Sequence, residues 1–350
     1  MKNSNKRDRY RAAIIGLGFI GGADQVSGDL LGQRVSDLDG THYTAYRDNP
    51  RIDIVAGSSR DPGRRSRFAE KSDATIFDDW KRMISEVELD IVSVATYTPV
   101  HSEIVIASAR AGIPVIYCEK PFARTLAEVD EMIEACNKSG SILVINHQRR
   151  FSPTLRKFSQ WVAEGNLGDL HSVSTRWPTG RFGNVGTHVF DAVQMILKAR
   201  PEAVSATLDT TGRPDCRGEA FRDPGGWGIV RYEGGIHATV DAGENNAGPM
   251  EATFFGSEGT ALMRNRDVDI RLYSGTNQSW RSDGDGSSMV VACNEIVAWL
   301  DTSGEFPYSA DDARLTHDLI TGIHASNERN GAWVELPLTG ADLERPVESG

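Results

Sequence analysis

The regular alternation of short apolar runs with helical stretches in the first 150 residues constrains the fold more than any other feature of this sequence. The apolar runs are rich in β-branched residues and almost continuously hydrophobic, as strands are when a parallel sheet buries both of their faces. These runs are Ala12–Ile15, Ile52–Ala56, Ile91–Ala95, Val115–Tyr117 and Ile142–Ile145. The segments between them predict helices over Pro62–Lys71, Asp78–Ser85, Pro99–Ala111 and Thr125–Ser139. The alternation therefore predicts an α/β fold with a doubly wound parallel sheet over residues 11–150. The first ten residues are basic and polar, and we expect them to form a disordered tail over residues 1–10.

The pattern changes after Phe151, where strand-like stretches follow one another at short intervals and are joined by tight glycine turns. Such spacing is typical of an antiparallel sheet. The predicted strands are Ser172–Arg176, Val204–Asp209, Ile229–Tyr232, His237–Val240, Ala252–Phe255, Thr260–Arg264 and Asp269–Tyr273. The predicted helices are Pro153–Glu164, Thr187–Lys198, Met289–Leu300 and Ala310–Arg329. We therefore expect a second domain of the α+β class over residues 151–340.

Charge and cysteine usage exclude several classes of protein. The formal net charge of −11 argues against nucleic-acid binding, which requires a clustered basic excess. No apolar run approaches the roughly 20 residues of a membrane span. The cysteines, Cys118, Cys136, Cys216 and Cys293, are far apart and form no CxxC pair, which indicates a reducing cytoplasm without structural zinc or disulfides. Because the eight histidines are scattered and no HExxH occurs, we expect no metal site.

A glycine-rich motif, Gly16-Leu-Gly18-Phe-Ile-Gly21, directly follows the first predicted strand. In a dinucleotide-binding loop the first glycine makes the tight turn, the second lets the backbone approach a pyrophosphate, and the third lets a helix pack closely. The alternative is an ordinary glycine-rich turn. The segment 22–40 is polar and glycine-rich, and the helical pattern resumes only at Thr41–Tyr46. We therefore predict an insertion there, which forms either a flap near the cofactor or a surface loop.

The end of the second predicted strand should select between NAD and NADP. An acidic residue at this position accepts from the ribose 2′-hydroxyl and repels a 2′-phosphate. That position falls on Ser59, followed by Arg60, with Arg64 and Arg65 in the next helix. A hydroxyl and guanidinium groups suit a phosphate, so NADP is favoured over NAD. The alternative is that Asp61 binds the ribose, although the following Pro62 favours Asp61 as a helix cap.

Two further segments carry residue types suited to acid–base chemistry. Lys120 follows the strand Val115–Tyr117, at the sheet edge where ligands of α/β proteins bind. Proton exchange with an alcohol and a structural pair with Glu119 are both open for this lysine. Downstream, Thr187 is predicted to cap a helix, which places His188 in the first turn and on one face with Asp191. A histidine satisfied within the structure is the alternative for His188.

Several segments together resemble the glucose–fructose oxidoreductase / inositol dehydrogenase / MocA (Gfo/Idh/MocA) family. They are GLGFIG at 16–21, ATYTPVH at 95–101, CEKPFARTLAE at 118–128, NHQRRFSP at 146–153, GTHVFDAV at 186–193 and the ending WVELPL at 333–338. The resemblance implies a Rossmann domain followed by an α+β domain with an open, mostly antiparallel sheet, whose exposed face usually pairs subunits. It also implies NAD(P)-dependent oxidation or reduction at a carbinol carbon of a sugar, cyclitol or related polyol.

The family's site residues can be assigned position by position. Its catalytic lysine falls on Lys120 and its catalytic histidine on His188, and one of these takes the hydroxyl proton as the hydride leaves the carbinol carbon. The family usually has an aspartate four residues before the histidine; Asn184 stands there and cannot accept a proton, which shifts the acid–base role toward Lys120. The expected substrate-binding residues are Asn184, Asp191, Gln148 and Arg149. The expected cofactor-binding residues are Gly16, Gly18, Phe19, Ile20, Gly21, Ser59, Arg60, Thr96, Thr98, His101, Glu119 and Lys120. Further pocket candidates are Trp177, Arg181, Trp227 and Trp280, which could stack on the apolar face of a sugar. The alternative for the tryptophans is a place in the core.

Two rival functions stay open at this point. The first is a glycosidase or isomerase that holds NAD(P) tightly and uses it transiently. The second is a non-catalytic dinucleotide-binding regulatory module, which Asn184 favours and the presence of Lys120 and His188 disfavours. In each case the expected partners are a small polyol or sugar and further copies of the chain in a homo-oligomer, either a dimer or a tetramer. Neither nucleic acid nor membrane is expected as a partner.

Overall fold

The computed structural model describes residues 6–211, 222–347 and 349, and the chain forms two compact units. The first unit comprises Met1–Ala123, Glu128–Asn146 and Gly286–Ala310, and the second comprises Arg124–Ala127, His147–Asp285 and Asp311–Gly350. The segment Gly286–Ala310 thus belongs to the first unit, although it lies within the predicted second domain. Cys216 lies outside the described residues, and the other three cysteines are free and buried.

The first unit contains a six-stranded sheet in the order β3-β2-β1-β4-β5-β6. Its strands are β1 (Tyr10–Ile15), β2 (Ile52–Ser58), β3 (Thr75–Phe77), β4 (Ile91–Val94), β5 (Val115–Cys118) and β6 (Ile142–Ile145). Every pair is parallel, which confirms the predicted doubly wound sheet and gives it the strand order of dinucleotide-binding folds. The short edge strand β3 was not predicted. Tyr10 belongs to β1 and is 2% exposed, so the expected tail does not extend to residue 10.

The second unit contains a nine-stranded sheet in the order β14-β13-β12-β11-β7-β10-β9-β8-β15. Its strands are β7 (Leu170–Arg176), β8 (Pro201–Asp209), β9 (Gly225–Tyr232), β10 (Ile236–Ala242), β11 (Glu251–Gly256), β12 (Gly259–Arg264), β13 (Asp267–Leu272), β14 (Asn277–Trp280) and β15 (Val334–Glu335). Among the described strands of this sheet, β7 and β10 alone pair in parallel, which confirms the open, mostly antiparallel sheet. The edge strands β14 and β15 were not predicted.

The helices follow the predicted segments closely except for α2, which lies in the segment 22–40 where no helix was predicted. They are α1 (Phe19–Gly22), α2 (Gln25–Leu30), α3 (His42–Arg47), α4 (Pro62–Ala69), α5 (Trp80–Glu86), α6 (His101–Arg110), α7 (Leu126–Ser139), α8 (Pro153–Ala163), α9 (Thr187–Leu197), α10 (Ser288–Thr302) and α11 (Ala310–Glu328). Within the described ranges, no helix has both the length and the apolar character needed to cross a membrane.

The predicted insertion contains α2 and is anchored at both ends within the first unit. Asp24 caps α2 and accepts two hydrogen bonds from Arg67 of α4, with Nε at 2.7 Å and Nη2 at 2.8 Å. The hydrogen bond from Arg67 is the main cause that lowers the pKa of Asp24 to about 2. At the far end, the carboxylate of Asp39 accepts from the backbone N–H of Ser288 at the start of α10 (3.1 Å). The insertion is therefore pinned against α4 and α10.

Large aromatic side chains fill the core of the second unit. Trp177 is fully buried, and its ring packs edge-to-face against Phe182 (5.8 Å) and Phe190 (5.5 Å). Its indole Nε1 donates to the carbonyl of Gly180 at 2.8 Å. A side chain so enclosed cannot stack on a ligand, so the expectation that Trp177 lines a substrate pocket is wrong. Burial of such a ring stabilises the fold by about 1.5–3 kcal/mol.

Candidate cofactor and substrate sites

The glycine loop between β1 and α1 has the backbone geometry that its motif predicts. Gly16 has φ of +99°, and a Cβ there would lie 2.3 Å from the carbonyl oxygen of Ala95. A Cβ on Gly21 would lie 1.9 Å from the carbonyl oxygen of Gly16. Both positions therefore require glycine, the first for the turn and the second for close packing of α1 on the loop.

The first turn of α1 follows the loop directly. Gly18 is the N-cap, so Phe19 and Ile20 carry backbone N–H groups that have no acceptor within the helix. The guanidinium of Arg64 lies beside this loop, since a Cβ on Gly18 would approach its Nη1 to 3.4 Å. Arg64 is held there by its Nε, which donates to the hydroxyl of Ser27 in the insertion (3.0 Å). The site thus combines free N–H donors with a positive charge, which suits a phosphate.

The end of β2 carries the residues expected to distinguish NAD from NADP. Asp61 is the N-cap of α4, and its carboxylate accepts from the N–H of Arg64 at 2.8 Å. This hydrogen bond is the main cause that lowers the pKa of Asp61. The prediction that Asp61 caps the helix is confirmed. The guanidinium of Arg60 lies over the ring of Tyr97 at 5.6 Å from its centroid, a cation–π arrangement. Arg65 donates to the carbonyls of Ser59 (2.8 Å) and Arg60 (2.9 Å) and so braces this turn.

Three of the residues predicted to bind the cofactor, Thr96, Thr98 and His101, follow β4. The two threonines and the histidine lie in different environments. The hydroxyls of Thr96 and Thr98 are buried and have no hydrogen-bond partner within the described part of the chain. His101 is fully buried, with Nδ1 3.0 Å from the carbonyl of Pro121 and Nε2 3.2 Å from that of Thr96. Burial lowers the pKa of His101. The expectation that the His101 side chain binds the cofactor is therefore corrected, because it has no exposed surface and instead ties the loops after β4 and β5 together.

The residues present fit a bound dinucleotide. Two hydroxyls that are buried without a partner among the described residues follow β4, whose end contacts the loop at Gly16. The loop itself carries the two obligatory glycines and leads into the N–H groups of the first turn of α1. A hydroxyl without a partner in a buried position costs about 1–3 kcal/mol, which a ligand acceptor would offset. No group of three or more His, Cys, Asp or Glu among residues 6–211, 222–347 and 349 is arranged to hold a metal ion.

Lys120 and Glu119 follow β5 at the carboxyl edge of the six-stranded sheet. Lys120 is partly exposed, whereas Glu119 is 7% exposed. Oε1 of Glu119 accepts from Asn146 Nδ2 at 2.6 Å and lies 3.1 Å from Nε2 of His42. Sequence analysis missed both partners. Asn146 carries a usable signal, a polar side chain directly after a buried strand, whereas nothing in the sequence points to His42.

The second unit places His188 and Asn184 on consecutive turns. His188 lies in the first turn of α9 and is partly exposed. Asn184 lies in the π-helical turn Phe182–Gly186 immediately before it. Asp223 fixes this turn, because its carboxylate accepts from the N–H groups of Gly183 (2.7 Å) and Asn184 (2.8 Å). Burial raises the pKa of Asp223.

Asp191 has a different environment from the one predicted. It is fully buried, and its Oδ1 lies 3.0 Å from Nδ1 of His147 and 2.8 Å from Nε of Arg150. Burial acts to raise the pKa of Asp191, but the charges of Arg150 and His147 outweigh it and lower the pKa. Oδ2 of Asp191 is buried and has no hydrogen-bond partner among the described residues, so binding of substrate by Asp191 stays a prediction. Nε2 of His147 lies 3.0 Å from the hydroxyl of Thr187. The N-cap of α9 is Gly186, so the prediction that Thr187 caps this helix is wrong.

His147 is the residue near His188 that sequence analysis missed. The two rings meet edge-to-face with centroids 6.2 Å apart. The remaining substrate candidates, Gln148 and Arg149, lie in the short turn Gln148–Phe151 and are partly exposed. Nη2 of Arg149 lies 3.0 Å from the sulfur of Met250.

Comparison with known proteins finds consistent relatives along most of the chain. A family profile described as "Oxidoreductase family, NAD-binding Rossmann fold" matches residues 10–147, and one described as "GFO/IDH/MocA C-terminal domain" matches residues 155–262. D-apiose dehydrogenase from Paraburkholderia graminis is 30% identical over 369 residues, which cover 95% of this chain and 92% of that protein.

Two solved structures share the fold. Levoglucosan dehydrogenase in complex with NADH and levoglucosan superposes with a TM-score of 0.77 at 19% identity, covering 94% of this chain and 100% of that one. The WlbA dehydrogenase from Bordetella pertussis, in complex with NADH and UDP-GlcNAcA, gives a TM-score of 0.77 at 18% identity, covering 95% and 99%. At these identities the likeness concerns the fold.

Proposed function

The chain belongs to the Gfo/Idh/MocA family of oxidoreductases, and from that premise we propose that it transfers a hydride between NADP(H) and a secondary alcohol or ketone of a sugar or related polyol. The observation that carries the proposal is the phosphate-binding geometry of the glycine loop, with Lys120 on the same sheet edge. Ligands of doubly wound sheets bind at this carboxyl edge.

In the proposed mechanism the protein orients the substrate and moves one proton. A nicotinamide cofactor, when bound, would supply the hydride chemistry. Lys120 exchanges the proton of the reacting hydroxyl, because the residue is partly exposed and follows β5 directly. His188 is the second acid–base candidate, and Asn184 donates or accepts a hydrogen bond with a neighbouring substrate hydroxyl. The turn that holds Asn184 is kept in place by Asp223.

NADP rather than NAD is proposed because the end of β2 offers donors. Ser59 supplies a hydroxyl, Arg60 a guanidinium, and the nearby Arg64 a second one. The one carboxylate in this turn, Asp61, is engaged with the N–H of Arg64. A 2′-phosphate would therefore meet positive charge and no free acidic group.

A substrate panel tests the activity. Wild-type protein is incubated with aldoses, cyclitols, anhydro-sugars and keto-sugars, with NADP(H) and NAD(H) in parallel, and the absorbance of the reduced cofactor is followed. D-apiose heads the panel because the dehydrogenase of that sugar is 30% identical. Net turnover of free cofactor is expected. A substrate that is converted without net turnover would instead show the glycosidase or isomerase chemistry that uses the cofactor transiently.

Variants of Arg60 test the cofactor preference. Arg60→Ala should lower kcat/KM with NADP by roughly ten- to a hundredfold and leave the value with NAD nearly unchanged, because one charge-assisted contact is lost. Arg47→Ala is the control, since Arg47 is exposed and pairs with its neighbour Asp48. Equal losses with both cofactors, or a wild type that prefers NAD, would contradict the assignment.

We also propose that copies of the chain pair through the outer face of the nine-stranded sheet. Trp227 is 48% exposed, Ile229 43% and Phe255 36%. They alternate with buried residues along β9 and β11, so they share the face turned away from the core. Trp227→Glu should shift the mass measured by light scattering toward the monomer.

The three free, buried cysteines among the described residues fit the reducing cytoplasm.

A further inference from the structure

A cluster of buried polar side chains lies on one face of the six-stranded sheet, next to Lys120. The register pairs Ser93 of β4 with Tyr117 of β5, so their side chains share a face, and Glu119 lies two residues beyond Tyr117 on that same face. We call this group the Glu119 cluster. It consists of His42, Tyr46, Ser93, Tyr117, Glu119 and Asn146, each 7% exposed or less. Polar groups so deeply buried are costly unless each finds a partner.

Two chains of hydrogen bonds converge on one oxygen of Glu119. In the first, Tyr46 Oη lies 2.6 Å from Ser93 Oγ, which lies 2.7 Å from His42 Nδ1, and His42 Nε2 lies 3.1 Å from Glu119 Oε1. In the second, Tyr117 Oη donates to Asn146 Oδ1 at 2.8 Å, and Asn146 Nδ2 donates to Glu119 Oε1 at 2.6 Å.

The number of protons along the first chain determines which atom donates in each of its hydrogen bonds. A neutral imidazole donates from one nitrogen and accepts at the other. If Glu119 is ionised, His42 donates to it and accepts from Ser93, which in turn accepts from Tyr46, so every proton is used. If Oε1 of Glu119 carried a proton, the chain would run in reverse. The proton of Tyr46 would then lack an acceptor, since Ser93 is the one hydrogen-bond partner of that hydroxyl within the described ranges. The arrangement therefore leaves Oε1 without a proton, as in the carboxylate.

The charges around Glu119 support the same state. Burial acts to raise its pKa, but the hydrogen bond from His42, the charge of Lys120 and the hydrogen bond from Asn146 act in the opposite direction, and the pKa is lowered. The titratable groups that face the cluster come from several elements. They are His42 and Tyr46 from α3, Tyr117 and Cys118 from β5, His101 from α6, Cys293 from α10, Asp39 from the insertion, and Lys120.

We propose that His42 and Asn146 hold Glu119 as a fixed carboxylate beside Lys120, and that this carboxylate sets the protonation equilibrium of Lys120. His42 and Asn146 are thus positioning residues that act through Glu119. The proposal rests on the proposed role of Lys120 in proton exchange. A neighbouring negative charge favours the ammonium form of a lysine, whereas the positive charge of a bound oxidised nicotinamide disfavours it. The negative charge of Glu119 offsets the effect of the nicotinamide charge, so that Lys120 can both take up and release a proton.

Competitive labelling with trace acetic anhydride measures this equilibrium without substrate or cofactor. Trypsin releases Lys120 within the peptide Ala111–Arg124, which contains no other lysine. Mass spectrometry of that peptide over a range of pH gives the midpoint at which Lys120 becomes reactive. Glu119→Gln should lower this midpoint by about one unit or more, as expected for loss of an opposite charge at close range. An unchanged midpoint would overturn the proposal.

Variants at His42 separate the hydrogen bond from simple packing. His42→Gln keeps a donor for Glu119 and an acceptor for Ser93, so it should keep the wild-type midpoint. His42→Leu removes the donor, so Glu119 takes up a proton more readily and the midpoint should fall. Tyr46→Phe is the matched control, because it removes a hydroxyl at the far end of the same chain and leaves the donor to Glu119. If Tyr46→Phe lowers the midpoint as much as His42→Leu, the effect is general loosening and the proposal fails. If His42→Leu does not fold, the comparison of Glu119→Gln with His42→Gln decides.

The pH profile of kcat links the cluster to turnover and separates the two proposals. The limb assigned to Lys120 should move in Glu119→Gln in the same direction as the labelling midpoint. If the wild type turns over substrate and Lys120→Ala does not, but the Glu119→Gln midpoint is unchanged, this inference fails and the proposed function stands. If the midpoint shifts and no substrate is oxidised or reduced, the proposed function fails and the charge coupling stands.

Discussion

Acid should destabilise the second unit in part through His317 of α11. His317 is 4% exposed, and its Nε2 is buried without a hydrogen-bond partner among the described residues. Burial, aided by the charges of His324, Arg314 and His147, lowers the pKa of His317 from 6.5 to about 4. In the folded protein this ring is therefore neutral at any pH well above 4.

The sign of the effect follows from counting protons in the two states. Between the folded value of about 4 and the unfolded value of 6.5, the unfolded chain binds more protons at His317 than the folded chain does. The free energy of unfolding therefore rises with pH in this window. The contribution is fully present above the unfolded value and is lost as the pH falls through the folded one. At 1.36 kcal/mol per unit, lowering the pH from about 7 to about 5 should cost about 2 kcal/mol for this histidine alone.

Urea unfolding followed by tryptophan fluorescence measures this contribution. Five of the seven tryptophans belong to the second unit, so the signal reports mainly on that unit. In His317→Leu the ring that takes up the proton is gone, and the loss of unfolding free energy between the two pH values should shrink by about 2 kcal/mol. His171→Gln, which alters an exposed histidine of β7, is the control and should keep the wild-type dependence. If His317→Leu also keeps it, the assignment of a buried neutral histidine is refuted.

Three further changes test the site. Lys120→Ala should lower kcat by roughly 10²–10⁴-fold, the range for a lost acid–base group, with cofactor affinity in a fluorescence titration near that of wild type; near-normal turnover would remove Lys120 from the mechanism. Asn184→Asp should move the limb of the pH–rate profile assigned to His188 to higher pH, because a nearby carboxylate stabilises a charged imidazole, and an unchanged profile would show that the two side chains are not coupled. Asp24→Asn should lower the free energy of unfolding by about 1 kcal/mol, because Arg67 is 35% exposed and solvent screens the ion pair. The same change should speed proteolysis within 22–40. Unchanged proteolysis would mean that the pair does not hold the insertion.

Much of the fold was predictable because its signals are local. Continuous β-branched runs indicate strands buried on both faces, and β1, β2, β4, β5 and β6 lie where those runs lie. Asp61 before Pro62 predicts a helix start from side-chain and backbone chemistry within four residues, and the structure confirms it. The glycines of the loop were predictable for the same reason, since the turn tolerates no Cβ. The short edge strands β3, β14 and β15 were missed because they have only 3, 4 and 2 residues, too few to show a periodic pattern.

The tertiary structure alone decided which polar side chains work together. His42 and Glu119 are 77 positions apart, yet their contact orders the residues next to Lys120. The resemblance implies that Asp191 binds substrate, but only the fold shows that His147 and Arg150, 44 and 41 positions away, contact its Oδ1. Helical or strand periodicity says which face a residue occupies and not what the rest of the chain brings against that face. The sequence therefore determined the elements and the chemistry of the loops, whereas long-range packing determined which carboxylates are buried, which are ionised and which can reach a ligand.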